Sequence, residues 1–421
     1  MKNYLSLSLV LFLSATSCMN QKEKPVKGDN YFPYFITEEK PDMELSAATK
    51  RMFDDYEGYR PEENELYTNF KYTKINGFDY NGGDGTISRR DPSRVIKYKD
   101  NYYIYYTHRQ TPVGGMGIKY ANDTIPSADW DLAEVWYATS KDGFNWEEKG
   151  VAIPRPPKPQ IGWRAVCTPD IFYWKGKYYL YYQAFNTTTG TRGDDCPISV
   201  SVADTPDGPW IPTNKIVVDN GPEGTWDQYS IHDPYPIVFN DKIYMYYKSD
   251  YNGKEKILRG IGLAIADNPL GPFKKHPLNP VLNSGHEVTV FKFREGIAAI
   301  AIRDGHERNT VQYSDDGVNF HIKSVVNMPP VGAGPYMPEA FTNEKFANGI
   351  TWGVCHNKHN STPGKRGSQY SIIMRFDCDL SLEENDKAFK ETELFDTPEE
   401  QYRQGLTKKQ KERILKKYSL K

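Results

Sequence analysis

The chain has 421 residues, with 53 Lys plus Arg against 55 Asp plus Glu and a formal net charge of −2. That balance leaves no basic footprint for nucleic acid, and five cysteines in such a length do not make a disulfide scaffold. Tyrosine is abundant, at 31 residues, and suits half-buried sheet with a wet edge.

In chain order, residues 1–18 read as a processed signal. Lys2 precedes the apolar run Leu5 to Leu13, and at about ten residues this is too short to cross a bilayer. The run closes on Ala15-Thr16-Ser17-Cys18, the pattern of a bacterial lipoprotein signal, so cleavage before Cys18 and lipidation of its thiol are expected. The expected location is the periplasm or outer membrane, with the lipid anchor as the only membrane contact. Residues 19–29 are polar and lysine-rich and read as a tether. In residues 30–66, Leu45, Ala48, Met52 and Tyr56 have helical spacing, with Ser46 or Thr49 as cap. The other four cysteines, Cys167, Cys196, Cys355 and Cys378, follow in the exported part, and their pairing is not readable from sequence.

Residues 67–390 carry a phrase repeated five times: an acid, a short strand, a tight turn and a second, often double-tyrosine strand. The copies begin at Asp91, Asp170, Asp233, Glu287 and Glu339, which lie 79, 63, 54 and 52 residues apart. The second strands include Tyr102-Tyr103-Ile104-Tyr105-Tyr106, Tyr178-Tyr179-Leu180-Tyr181-Tyr182 and Ile243-Tyr244-Met245-Tyr246-Tyr247. Further hairpin signals follow, clearest at Asp142-Gly143 and Asp316-Gly317. Two hairpins per period give four strands per blade, so the expected fold is an all-β, five-bladed propeller with short N- and C-terminal helical extensions. The C-terminal extension, residues 391–421, opens a helix at Thr407-Lys408-Lys409-Gln410.

Innermost strands of a propeller converge on its axis, so acids at their starts share one funnel. Aligned on Tyr98, Trp174, Phe239, Phe293 and Phe346, Asp233 and Glu287 lie six residues before the anchor and Thr168 takes the same place, whereas Asp91 and Glu339 lie seven before. Asp170 and Glu339 read as structural acids that accept backbone hydrogen bonds. Asp91 follows Arg89-Arg90, Asp233 follows His232, and Glu287 follows His286. Such acid–base company can separate protonation states, as glycoside hydrolysis requires.

With these residues the chain resembles glycoside hydrolase family 117, the five-bladed exo-acting α-1,3-(3,6-anhydro-L-galactosidases). The carriers are Gly83 to Ser93 (GDGTISRRDPS), Trp130-Asp131-Leu132-Ala133, Thr168-Pro169-Asp170 with Gln183, His232-Asp233-Pro234 and His286-Glu287. The resemblance implies an inverting exo-glycosidase that releases 3,6-anhydro-L-galactose from neoagaro-oligosaccharides. It implies Asp91 as general base, Asp233 as the orienting carboxylate and Glu287 as the third acid, with the proton donor either His286 or Glu287. Arg90, Trp130, Thr168, Gln183 and His232 would contact sugar. It further implies a homodimer through Ser46 to Arg51, which fits the S-x-A-x-x-R segment, and a divalent cation near the site. No metal ligand set is readable in the sequence; His356 and His359 are the candidate contributors. The competing readings are a propeller glycosidase on another red-algal galactan or an arabinofuranoside, and a non-catalytic sugar-binding lipoprotein.

Overall fold

A computed structural model describes residues 32, 39–53, 66–189, 196–249, 260–284, 286–302 and 307–381. The expected signal, tether and C-terminal helix therefore lie outside the described residues. A short helix, α1 (Ala47–Arg51), precedes the sheets, and Ser46 caps it by accepting a hydrogen bond from the Thr49 amide. The expected helix ran to Tyr56; residues 54–65 fall outside the described part.

The first strand, β1 (Lys71–Lys74), is not part of the blade that follows it in the chain. Blade one holds β2 (Ile87–Arg90), β3 (Ile96–Tyr98), β4 (Asn101–Gln110), β5 (Glu134–Ser140) and β6 (Trp146–Ile153). Blade two is β7 (Ala165–Trp174), β8 (Lys177–Phe185), β9 (Ile198–Ala203) and β10 (Ile211–Val218). Blade three is β11 (Ile231–Phe239), β12 (Lys242–Ser249), β13 (Gly260–Ala266) and β14 (Lys274–Lys275). Blade four is β15 (His286–Phe293), β16 (Gly296–Ile302), β17 (Thr310–Ser314) and β18 (His321–Val325). Blade five takes β19 (Gly334–Pro335), β20 (Gly349–Asn360) and β21 (Gln369–Ser381), and β1 joins it as the outermost strand. Lys71 pairs with Asp377 and Lys74 with Met374, so the N-terminal strand closes the ring. The fold is a five-bladed β-propeller.

The turns behave as their composition demands. Between β11 and β12, Asn240 and Asp241 both take positive φ (50° and 60°), and Lys175 and Gly176 do the same between β7 and β8. These are the left-handed pairs that match the twist of a tight hairpin.

The double tyrosines have a division of labour. Tyr105 of blade one donates to the Pro206 carbonyl in the outer hairpin of blade two. Tyr181 of blade two reaches the Pro269 carbonyl of blade three at 2.8 Å, and Tyr246 of blade three reaches the Gly317 carbonyl of blade four at 2.7 Å. Each ring fills the space between two sheets, and each hydroxyl ties one blade to the next. Far from the strand starts, Phe341 caps the axis, edge-on to Phe172 at 5.2 Å and under the Arg94 guanidinium at 5.4 Å.

Blade five departs from the sequence alignment. Its inner strand is β19, and Pro338-Glu339, expected to open the fifth copy, instead forms a 3-10 helix (Pro338–Phe341). The expected anchor Phe346 is half exposed and lies outside any strand. The repeat is displaced because this blade's inner strand is only two residues long. Among the described residues, Cys167, Cys196, Cys355 and Cys378 are all buried.

Candidate active site

Four inner strands break at the same level. Asp91 (φ 47°), Thr168 (46°), Asp233 (52°) and Glu287 (45°) each adopt the left-handed conformation, and Gly332 (57°) takes it in blade five. Regular pairing slips at this point in β7, β11 and β15, so Thr168, Asp233 and Glu287 sit on bulges. A bulge re-aims its side chain, here toward the axis. Left-handed φ costs an L-residue about 1–2 kcal/mol, and four such residues at one level mark a functional tier.

Arg90 joins the tier. Its Nε donates to Asp91 Oδ2 at 2.7 Å, and its Nη2 reaches Asp91 Oδ1 at 3.2 Å and Glu287 Oε1 at 3.4 Å. Asp129 adds a third carboxylate 3.9 Å from Nη1. Burial works against the guanidinium charge, but Asp91, Asp129 and Glu287 overcome it and raise its pKa further. Burial likewise opposes ionisation of Asp129, yet Arg109 and Arg90 hold its carboxyl below the usual range. The Arg90 guanidinium lies 4.7 Å from the Trp130 ring centroid.

Asp91 is held from two further sides. Thr168 Oγ1 donates to Oδ2 at 3.4 Å, and His356 Nδ1 lies 3.3 Å from Oδ1 while accepting the Asp91 amide at 3.2 Å. Asp233 has different company. Lys248 Nζ lies 2.9 Å from Oδ2 and Gln183 Nε2 donates to Oδ1 at 3.3 Å. Burial pushes the Asp233 carboxyl up, Lys248 opposes it, and the negative charges of Glu287 and Asp91 reinforce it. His286 Nδ1 lies 3.4 Å from Glu287 Oε1, and its side chain is 24 % exposed against 5 % for Glu287. Among the expected catalytic residues, His286 stands nearest solvent.

The expected sugar contacts divide. Trp130 and Thr168 are half-buried, whereas Arg90, Gln183 and His232 are buried. His232 lies edge-on to Phe185 at 5.9 Å, with Nε2 3.7 Å from Cys196 Sγ. Asp170 fills the structural role expected of it. It accepts the Arg94 amide at 2.9 Å and pairs with the Arg94 guanidinium at 2.7 Å.

Asp91, Glu287 and His356 offer ligand atoms within 4.8 Å of one another. Two carboxylates and an imidazole are suitable donors for a divalent cation, so the residues present fit one. His359, the other candidate, stacks on Tyr370 instead. Sequence spacing missed Lys248, which strand pairing sets opposite His232, and Asp129 and Gly332, which reach the site from loops outside the repeated phrase.

The model of glycosyl hydrolases family 43 matches residues 86–247. Comparison with the curated proteins returns no match. A solved family 117 glycoside hydrolase of the marine bacterium Zobellia galactanivorans is 58 % identical, covers 80 % of this chain and 98 % of its own, and superposes with a TM-score of 0.73. A second structure, a glycoside hydrolase 13 % identical over 78 % of this chain and 95 % of its own, has a TM-score of 0.51 and shares the fold. The identity and near-complete coverage of the first relative show that this chain is a glycoside hydrolase and belongs to family 117.

Proposed function

We propose that the protein is an inverting exo-acting α-1,3-(3,6-anhydro-L-galactosidase) that removes the terminal anhydrosugar from neoagaro-oligosaccharides. The observation that carries this reading is the Arg90 bridge, which brings Asp91 and Glu287 together beside His286. Asp91, held by Arg90, Thr168 and His356, takes a proton from water as the water oxygen bonds to the anomeric carbon. The bond from that carbon to the leaving oxygen breaks, and that oxygen takes a proton from the enzyme.

Distance favours His286 as the donor. An inverting pair of carboxyls needs about 6.5–9.5 Å to admit water, but Asp91 and Glu287 bring ligand oxygens within 4.8 Å of each other. Glu287 then serves as the negative partner that orients His286, and Asp233, tied to Lys248 and Gln183, contacts the sugar from the opposite side. Trp130 offers a ring face for the pyranose, and Thr168 a hydroxyl. A divalent cation at Asp91, Glu287 and His356 would supply positive charge that stabilises the ionised carboxylates. The export signal and the lipid anchor at Cys18 would place this activity at the bacterial periphery.

Incubation with neoagarobiose, followed by NMR of the released sugar, tests the reading. Inversion predicts the β-anomer first. If the α-anomer appears first, or nothing is cleaved, the assignment fails, and a panel of carrageenan, porphyran and arabinan oligosaccharides then identifies the glycoside. A protein that binds but cleaves none of them is a sugar-binding lipoprotein.

A further inference from the structure

The second strands of the blades support the tier in a regular way. Two residues after the bridging Tyr105, Thr107 Oγ1 accepts the amide of Thr168, the tier residue of the next blade, at 2.7 Å. Two residues after Tyr181, Gln183 Nε2 donates to Asp233, again in the next blade, at 3.3 Å. In blade five, His356 of β20 accepts the Asp91 amide of blade one at 3.2 Å. Lys248, two residues after Tyr246, holds the same place in blade three. Strand alternation puts it on the Tyr246 face, which looks toward blade four. Its ammonium nevertheless lies 2.9 Å from Asp233 Oδ2, in its own blade.

A cation at this place answers a local need. Lys248 and Asp233 are both buried, with side chains 6 % and 5 % exposed. Asp233 Oδ2 is cut off from solvent, and the negative charges of Glu287 and Asp91 bear on the same carboxylate. A neutral support such as Thr107 or Gln183 would leave this carboxylate facing two others without relief. As a staple the pair gains little, because the cost of desolvating two charges offsets their attraction. What it supplies is direction. An ammonium fixed at Oδ2 sets the carboxylate plane and leaves Oδ1 with the longer Gln183 contact.

We propose that Lys248 is a positioning residue that acts through Asp233: it pins Oδ2 so that Oδ1 is presented to a hydroxyl of the sugar at the cleaved bond. This rests on the proposed reading of Asp233 as a carboxylate that contacts sugar.

A double-mutant cycle separates this role from a merely structural one. Lys248→Met removes the charge and keeps an unbranched stem. Its kcat/KM is expected to fall about a hundredfold, and that of Asp233→Asn about a thousandfold. The double variant, which buries no unpaired charge, should stay within about threefold of Asp233→Asn alone, because the lysine then has no carboxylate to position. Losses that multiply, to about 10⁵-fold, or a Lys248→Met enzyme as active as wild type, would overturn the inference. Should Lys248→Met alone not fold, the comparison of Asp233→Asn with the double variant still decides, and a further loss of about a hundredfold there overturns it. A crystal structure of Lys248→Met needs no substrate. An Asp233 carboxylate rotated out of its wild-type plane supports the hold, and an unmoved one refutes it. A protein inert on neoagarobiose whose carboxylate rotates in the variant keeps the hold and loses the assigned sugar; the cycle is then run on the carrageenan, porphyran or arabinan oligosaccharide that it does cleave.

Discussion

Asp91 shows how much chemistry one side chain can gather. Its carboxylate meets a guanidinium, a hydroxyl and an imidazole, all within 3.4 Å. Asp91→Asn should lower kcat by about a thousandfold or more, as loss of a general base does, while circular dichroism and the melting temperature remain near wild type. Gly332 makes the same site possible from blade five. A Cβ there would lie 2.7 Å from His356 Nδ1 and 3.2 Å from Asp91 Oδ1. Gly332→Ala should therefore push His356 away from Asp91 and cut kcat/KM by about tenfold or more, or roughly 1.4 kcal/mol of transition-state stabilisation; steady-state kinetics on the cleaved glycoside check this. His108, stacked on Trp136 at 3.9 Å, gives a pH prediction. Burial, aided by Arg89, pushes its pKa down from 6.5 to about 3. Above 6.5 both folded and unfolded chains leave it neutral. Between 6.5 and about 3 only the unfolded chain takes the proton, so stability falls as pH falls, by up to about 1.4 kcal/mol per unit. Urea unfolding from pH 7 to 4 should show a shallower decline in His108→Phe, which keeps an aromatic ring but cannot titrate.

At the level of elements, the repeated phrase was legible because each blade solves one packing problem with one set of residues. The tight turns, the double tyrosines and the acid before each inner strand all follow from sheets that must converge on an axis. The tyrosine links give a direct test. Tyr246→Phe leaves the buried Gly317 carbonyl without its donor, at a cost of about 1–3 kcal/mol. Denaturant titration should show this loss, and Tyr181→Phe should show a similar one. Blade five escaped the sequence alignment for the converse reason. With two residues in its inner strand and an outer strand borrowed from the N-terminal side, it keeps too little of the phrase to be recognised.

For the whole molecule, α1 bridges distant parts of the chain. Ser46 Oγ donates to the Pro280 carbonyl at 2.6 Å, and Arg51 forms a two-toothed pair with Glu307 at 2.6 and 3.1 Å. The same segment carries the S-x-A-x-x-R pattern. Exchange of this arm between protomers would preserve these contacts while building a dimer. Removing residues 19–60 should then convert a dimer to a monomer in light scattering; an unchanged mass would exclude exchange.

The sequence alone was enough to determine the class of fold, because the spacing of its repeated hairpins is a property of the chain, and local company brought Asp91, Asp233, His286 and Glu287 forward as candidates. It also placed Arg90 beside Asp91. Only the tertiary structure decided that Arg90 also reaches Glu287, 197 residues away, and that His356 meets Asp91 across 265. The physical reason is closure. Left-handed bulges on separate strands aim side chains at a common axis only once the ring is complete, and no local pattern encodes where those directions cross.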